Sequence, residues 1–472
     1  MSNSKPSTSG RRRRRKPAAP IKRVNGNHGD WGRHVAGRPG AISAKANGRG
    51  YDSGSHLRSG IRRYGSDLAE SAVSSSRERT EIREACRDAD RKDTAFQRIV
   101  SATVENVIGE GPTFCPSTDS PEWNQAAAAV IARRNRKYHF SPSRDTSEND
   151  LSRTVLRSYE RDGEVFIYHP RGFTQVFEAG QVHTPGHRTH ADLPSGHSIA
   201  NGRETDALGA VVAYYVGPYD RYGRATCSPT KMLRLPAWHL DPDYDAILPI
   251  TTQWRHTQFL SADRGISPMA AALAPLQQLD EYIRAILERA IAEACIMATL
   301  KSNRSNAAES LSAGRADDDG GSAPELVYDD VAFIEPSIVA HLAPEDEFDL
   351  HAPTTPGQMF GTFVKTIIRL ASMHRGQPLE IASLDFSDTN FSAARAAIEQ
   401  AKRLWVMLQK DMSEHWYLPN CHWSIYEAML DGSLAYHPDW QNVKVKPAGW
   451  RYLDPQKDAT ANKIALQSET TI

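Results

Sequence analysis

Leu384–Arg403 reads LDFSDTNFSAARAAIEQAKR. Its first half is dense in Asp, Ser, Thr and Asn, whose short polar side chains bond to nearby backbone N–H groups and favour turns and helix starts. Its second half is Ala, Arg, Glu, Gln and Lys, all strong helix formers. The pattern predicts a structured loop followed by a capped helix that runs on after Asn390, with Asp385 and Asp388 as capping residues. Ala394, Ile398, Ala401, Trp405, Leu408 and Met412 share one side of that helix and are expected to pack against the body of the protein.

Upstream, Gly376-Gln377-Pro378 is a break. Before it, Phe360, Phe363, Val364, Ile367, Ile368 and Ala371 predict a helix over Gln358–His374. A longer apolar repeat, Leu273 to Ala294, predicts a helix over Ser267–Leu300. Ser267 is its expected N-cap, Pro268 its first residue, and Pro275 a kink or restart. Residues 303–325 are small and polar and include Asp317-Asp318-Asp319. They lack the alternating ligands of a calcium loop and read as solvated. Short strand-like pieces follow at Glu325–Tyr328 and Val331–Ile334.

Towards the N-terminus, short β-branched and aromatic runs at Gly163–His169, Thr174–Glu178, Ala210–Val216 and Lys231–Pro236 predict a small mixed or antiparallel sheet. His183, His187, His190 and His197 fall between them, at a spacing that matches no closed zinc site. Helical patterns cover Asp67–Val107, Glu122–Arg136 and Glu148–Arg161, the first stopped at Gly109–Pro112. The C-terminal portion is aromatic, with Trp416, Trp423, Tyr426, Trp440 and Trp450.

The formal charge of the 472-residue chain is zero, but it is unevenly placed. Residues 1–64 carry 16 Lys/Arg and 2 Asp/Glu, whereas the whole chain has 57 of each. Residues 65–472 therefore hold fourteen more acids than bases. The arm includes Arg11, Arg12, Arg13, Arg14, Arg15 and Lys16, is rich in glycine, and has too few apolar residues to offset the entropy of ordering. It reads as a flexible basic arm for a polyanion or an acidic partner. Five scattered cysteines without a CxxC fit reduced, cytoplasmic usage. No apolar run is long enough to span a bilayer, so no membrane is expected.

No catalytic signature is present. GxxxxGK[ST] fails because no Gly-Lys dipeptide occurs, and GxSxG, HExxH and GxGxxG are absent. Cys421 and His422 are adjacent, but a catalytic pair also needs an orienting group. The expectation is a non-enzyme with no cofactor and no metal.

Five stretches stand in a recognisable order: VENVIGEG (Val104–Gly111), LSRTVLRSYERDGEVFIYHPR (Leu151–Arg171), DRGISPMAAALAPLQQLDEYIRAILERAIAEACIM (Asp263–Met297), SLDFSDTNFSAARAAIEQAKR (Ser383–Arg403) and GWRYLDPQKDATANK (Gly449–Lys463). With them, the chain from about Arg83 to Leu466 resembles the lambda-type family of tailed-phage portal proteins. The resemblance implies an α+β fold with a helical stem, a β-containing wing and clip and a helical crown region. It implies assembly into a ring of about twelve copies with two different contact faces on each.

By position in that pattern, residues 1–64 are the arm, 65–265 the wing, 266–302 a stem helix and 303–352 the clip. Residues 353–376 are the second stem helix, 377–417 the tunnel loop and its packing helix, and 418–472 a C-terminal wing or crown segment. The resemblance makes Gln377, Glu380, Ser383, Asp385, Ser387, Asp388 and Asn390 the residues of a loop facing the tunnel. It makes Asp317, Asp318, Asp319, Asp329 and Asp330 candidates for docking a packaging motor. The implied partners are double-stranded DNA in transit, the terminase large subunit, and capsid and head-completion proteins, in the virion. The chain departs from the family in three places: it ends soon after DPQKDATANK, suggesting a reduced crown; the loop after Gly376 lacks an aromatic common there; and Trp238–Trp254 is unusual. The competing reading is a basic-armed nucleic-acid-binding or regulatory protein, motivated by Arg11–Lys16.

Overall fold

A computed structural model describes residues 76–450, except 187–192, 221–224, 226–230, 245, 258–261, 296–297, 302–346, 351–356, 358 and 388, together with residues 460 and 463–464. The described residues all belong to one compact unit.

The helical run expected from Asp67 to Val107 is two helices within the described residues, α1 (Ser76–Lys92) and α2 (Thr94–Ile108). Asp93 separates them. Its backbone is extended and its carboxylate accepts from the N–H groups of Ala95 at 2.8 Å and Phe96 at 3.0 Å. One capping side chain thus restarts a helix inside an unbroken apolar repeat. Gly109 ends α2 at a φ of 56°, and β1 (Thr113–Pro116) follows. Next come α3 (Pro121–Arg134), the single turn α4 (Lys137–Phe140) and α5 (Glu148–Asp162). Ser120 caps α3 ahead of Pro121, and Ser147 and Asp150 form a capping box on α5.

Nine short strands come next: β2 (Glu164–Tyr168), β3 (Gln175–Glu178), β4 (Ser198–Ala200), β5 (Arg203–Thr205), β6 (Val211–Val216), β7 (Leu233–Pro236), β8 (Trp238–Asp241), β9 (Ala246–Pro249) and β10 (Thr251–Arg255). Among the described residues they make three antiparallel sheets, ordered β10–β2–β3, β4–β5–β6–β7 and β8–β9, rather than one. The central strand β2 is buried on both faces. Val165 and Ile167 join Trp254 in a helical core, whereas Phe166 joins Phe177, Tyr214 and Leu235 in a β-sided cluster.

The long helix α6 (Ala270–Cys295) is shorter than the expected Ser267–Leu300, about 39 Å at 1.5 Å per residue. Ser267 holds the turn before it: its hydroxyl accepts from the Met269 N–H at 3.0 Å and donates to the Glu160 carbonyl at 2.9 Å. The helix runs through Pro275 without a restart. Residues expected to be its last turn are strand β11 (Ala298–Lys301), paired antiparallel with β12 (Glu347–Leu350). The expected strands at Glu325–Tyr328 and Val331–Ile334 lie outside the described residues.

The chain returns through α7 (Phe360–Met373), which packs on α6. The segment expected to be all loop contains α8 (Leu379–Ser383). Beyond it, α9 (Phe391–Met412) runs into a π-helical turn at Ser413–Tyr417 and then α10 (Leu418–Leu430). The turn lets Trp416 and Tyr417 join the same core as Trp405, Leu408 and Met412. The last described strand, β13 (Val443–Lys446), pairs antiparallel with β1 across more than three hundred residues of sequence. A second core holds Trp423, Tyr426 and Trp440 of the aromatic C-terminal portion.

Two glycines position the start of α6. A Cβ on Gly163 would lie 2.1 Å from the Ile266 carbonyl carbon, and one on Gly265 would lie 2.1 Å from the Gly163 oxygen. The end of α5 and the approach to α6 therefore cross at a distance only glycine permits. Arg264, beside this crossing, is buried. It bonds Glu164 at 2.7 Å and the carbonyls of Ala179, Val182 and Asn201 at 2.7–2.8 Å, so its fork is fully used.

Candidate functional site

The segment from His374 to Ala393 is tied to the body before it becomes exposed. The His374 ring meets the Pro268 carbonyl at 2.9 Å, and burial, with Arg375 beside it, lowers its pKa. Arg375 is buried and pairs with the fully buried Glu160 of α5. Burial drives the Glu160 pKa up, and Arg375 opposes that shift. Gly376 turns the chain at a φ of 59°. Gln377 then points inward, donating from Nε2 to the Ile99 carbonyl at 3.0 Å and the Thr103 hydroxyl at 2.6 Å. The expectation that Gln377 faces a tunnel is therefore corrected: it is 3% exposed and pins the segment to α2.

Of the other expected residues, Glu380, Asp385 and Asn390 line one cleft, and Ser383 and Ser387 bond to Asp385 beside it. That cleft, of about 310 Å³, lies between Lys365 and Arg369 of α7, Glu380 of α8, and Asp385, Thr389 and Asn390 of the loop. Ser383 donates to the Leu379 carbonyl at 2.7 Å and accepts from the Asp385 N–H at 3.3 Å. Leu384 turns the chain at a φ of 57°, a left-handed conformation that costs a non-glycine residue about 1 kcal/mol. Asp385 accepts from the Ser387 N–H at 3.0 Å and hydroxyl at 2.6 Å, and pairs with Lys365 at 2.9 Å. Hydrogen bonds from Ser387, then Lys365, hold its carboxyl well below the usual range.

The Thr389 hydroxyl donates to Glu380 at 2.7 Å. Asn390, and not Asp385, caps α9, accepting from the Ala393 N–H at 2.8 Å. The carboxylate expected to cap is engaged with Ser387 and Lys365, and the amide next to the helix takes that role. Asp388 lies outside the described residues, as do Asp317, Asp318, Asp319, Asp329 and Asp330 and the run Arg11–Lys16. Two features of the loop were not foreseen. Leu384 and Phe386 are largely exposed, and Lys365 and Arg369 supply its cationic wall. The alternation of Leu384 and Phe386 with polar residues was the available signal.

The histidine-rich segment is occupied differently. His197 bonds Glu204 at 3.0 Å, and Glu204 also receives Arg234 and Tyr215, both at 2.8 Å. Arg234 foremost holds Glu204 down to about 2. His187 and His190 lie outside the described residues, among which no group of side chains could hold a metal ion. Cys421 is buried, which raises its thiol pKa, and the neighbouring His422 ring meets the Gln441 carbonyl at 2.9 Å.

No curated protein matches the chain. Among solved structures, it is similar to a chain in the virion of a native gene transfer agent particle, at 12% identity and a TM-score of 0.45, covering 84% of this chain and 89% of that one. It is also similar to a chain in the neck of the native particle computed with C12 symmetry, at 13% identity and a TM-score of 0.44, covering 82% and 89%. A model of the family described as phage portal protein, lambda family, matches residues 61–409. That match spans most of the chain, from before α1 through most of α9, and so the chain belongs to the lambda family of phage portal proteins.

Proposed function

We propose that about twelve copies of this chain close into a ring at one capsid vertex, and that duplex DNA is packaged and ejected through its bore. The observation that carries this is the family match over residues 61–409. In this reading residues 65–265 are the wing, 266–302 and 353–376 the stem, 303–352 the clip, and 418–472 a wing or crown segment. The 377–417 segment lines the tunnel and packs behind it, with Glu380, Ser383, Asp385, Ser387, Asp388 and Asn390 towards the DNA. Asp317, Asp318, Asp319, Asp329 and Asp330 of the clip dock the terminase large subunit, and capsid and head-completion proteins bind elsewhere on the ring.

The physics of a sleeve supports the reading. Each phosphate neutralised by a protein cation adds salt-dependent affinity, and a grip of many such contacts would stall a sliding duplex. The fourteen-acid excess of residues 65–472 opposes such a grip by repelling the polyanion. In the loop, Asp385 also occupies Lys365. The work is mechanical, with no bond made or broken. Among the described residues no helix is long and apolar enough to cross a membrane.

Electron microscopy of the purified chain is expected to show closed annuli with an axial hole, and light scattering a mass of about twelve chains. A strict monomer at every concentration that supports assembly overturns the proposal.

A further inference from the structure

Helix α1 carries Arg79, Arg83 and Arg87 one turn apart on one face. They are turned towards the body of the protein, where Arg264 lies close enough to act on Arg79 and Arg83. The carboxylates of this region are already engaged. Asp162 receives Nε and Nη2 of Arg87 at 2.9 and 2.6 Å, and Arg161 as well. Glu178 pairs with Arg87 at 2.8 Å and accepts from the Tyr219 hydroxyl at 2.6 Å. Glu164 is held by Arg264, Gln253 and the Gly265 N–H. Arg79 donates to the Asn201 side chain at 2.8 Å.

Arg83 is left over. Among the described residues its guanidinium makes one hydrogen bond, from Nη2 to the Thr80 hydroxyl at 3.3 Å, and meets no carboxylate at ion-pair distance. The residue is half-buried, and burial first, then Arg264 and Arg87, lowers its pKa. Arginine does not escape such a position by giving up its proton. A cation drawn from water without a counter-ion is costly, and most of the N–H donors of this fork have no acceptor in the protein.

The space beside the fork is kept clear. A Cβ on Gly180 would lie 3.4 Å from the Tyr219 hydroxyl and 4.0 Å from Arg83 Nη2, so glycine keeps a side chain out of the gap between them. Tyr219 is 38% exposed, and the gap meets solvent there. The Ala179 carbonyl, one residue before Gly180, is bonded to Arg264, which sets a second guanidinium close by.

We infer that Arg83 is the principal ligand of a phosphate group seated over Gly180. The fork of a guanidinium fits the oxygens of a phosphate or a carboxylate alike. The positive field of Arg79, Arg87 and Arg264 favours the anion of higher charge, which selects phosphate. A free phosphate ion and a phosphodiester of a DNA backbone present the same oxygens, and experiment separates them. The site is on α1, outside the cleft of the loop, and stands whether or not copies of the chain close into a ring.

Calorimetric titration of the full chain with sodium phosphate, at neutral pH and constant ionic strength, is expected to show one site per chain. Arg83→Gln is expected to weaken it by about tenfold or more. Arg91→Gln, whose guanidinium is 73% exposed on the same helix, is the control and is expected to leave it unchanged. Sodium acetate at the same ionic strength is not expected to substitute. Melting temperatures separate a ligand site from a structural role. In phosphate-free buffer Arg83→Gln removes a charge without a protein counter-ion and is expected to melt no lower than the unmodified chain. It is also expected to lose the rise that phosphate gives the unmodified chain. A short DNA duplex is then added to the phosphate-loaded protein: release of the ion assigns the site to a DNA backbone, and retention assigns it to the free ion.

Absence of phosphate binding, equal binding in Arg83→Gln, or equal binding of acetate overturns the proposal. So does a lower melting temperature of Arg83→Gln in phosphate-free buffer, because the guanidinium then has its partner within the chain. None of these outcomes bears on the portal reading.

Discussion

His169 is 3% exposed, stacks near Trp423, and has no partner on Nε2. Burial, with Arg134 adding to it, pushes its pKa down to about 3. An unfolded histidine titrates near 6.5. Above that pH both states are neutral there and the residue costs nothing. As pH falls below 6.5 the unfolded chain takes up a proton that the native state refuses, and stability is lost progressively down to about 3. The loss amounts to about 3 kcal/mol by pH 4. His256, lowered to about 4 chiefly by burial, acts in the same direction. His169→Phe is therefore expected to remove part of the fall in melting temperature between pH 6.5 and 4. Parallel curves for the variant and the unmodified chain would show that this histidine is not held neutral. None of this was legible in the sequence, where His169 is one polar residue at the end of a strand pattern. Its protonation is decided by α10 and α3, which lie far away in sequence.

Among the elements, α9 was the most legible. Its apolar stripe was read from spacing alone, and Ala401, Trp405, Leu408 and Met412 are all in the core. Its capping residue was misassigned, because Asp385 and Asn390 are chemically similar and only the position of Lys365 separates their roles. Ala397→Pro is expected to remove a helical hydrogen bond and clash one turn back, costing about 3 kcal/mol or more. Circular dichroism would show lost helix, and electron microscopy impaired assembly. Normal rings with an unchanged melting temperature would mean that α9 does not hold the loop. The α1–α2 break at Asp93 shows a different limit. Apolar periodicity continues across it, so the break is written in one carboxylate and its two backbone donors. Strands β1 and β13 were illegible because each is four residues long and completed only by the other.

The asymmetry of charge is a property of the whole molecule. The basic arm favours a polyanion, and the acidic remainder opposes one. A portal that assembles through residues 65–472 does not need the arm to form rings, whereas a DNA-binding regulator built on Arg11–Lys16 needs it to function. Deletion of residues 1–64 is expected to leave rings intact by electron microscopy while reducing non-specific DNA retention in a gel-shift assay. Loss of rings on that deletion would place the arm in the assembly itself.

Helix positions and the principal turns were available from local order: periodicity, capping residues and glycines act over a few residues, and the linear chain records them, while the family was read from the resemblance of five ordered stretches. The direction of Gln377, the pairing of Arg375 with Glu160 and the crossing of Gly163 and Gly265 needed the folded chain. Each depends on residues a hundred or more positions apart. Burial and charge pairing are set by distance in space, and an isolated stretch of sequence carries no record of that distance.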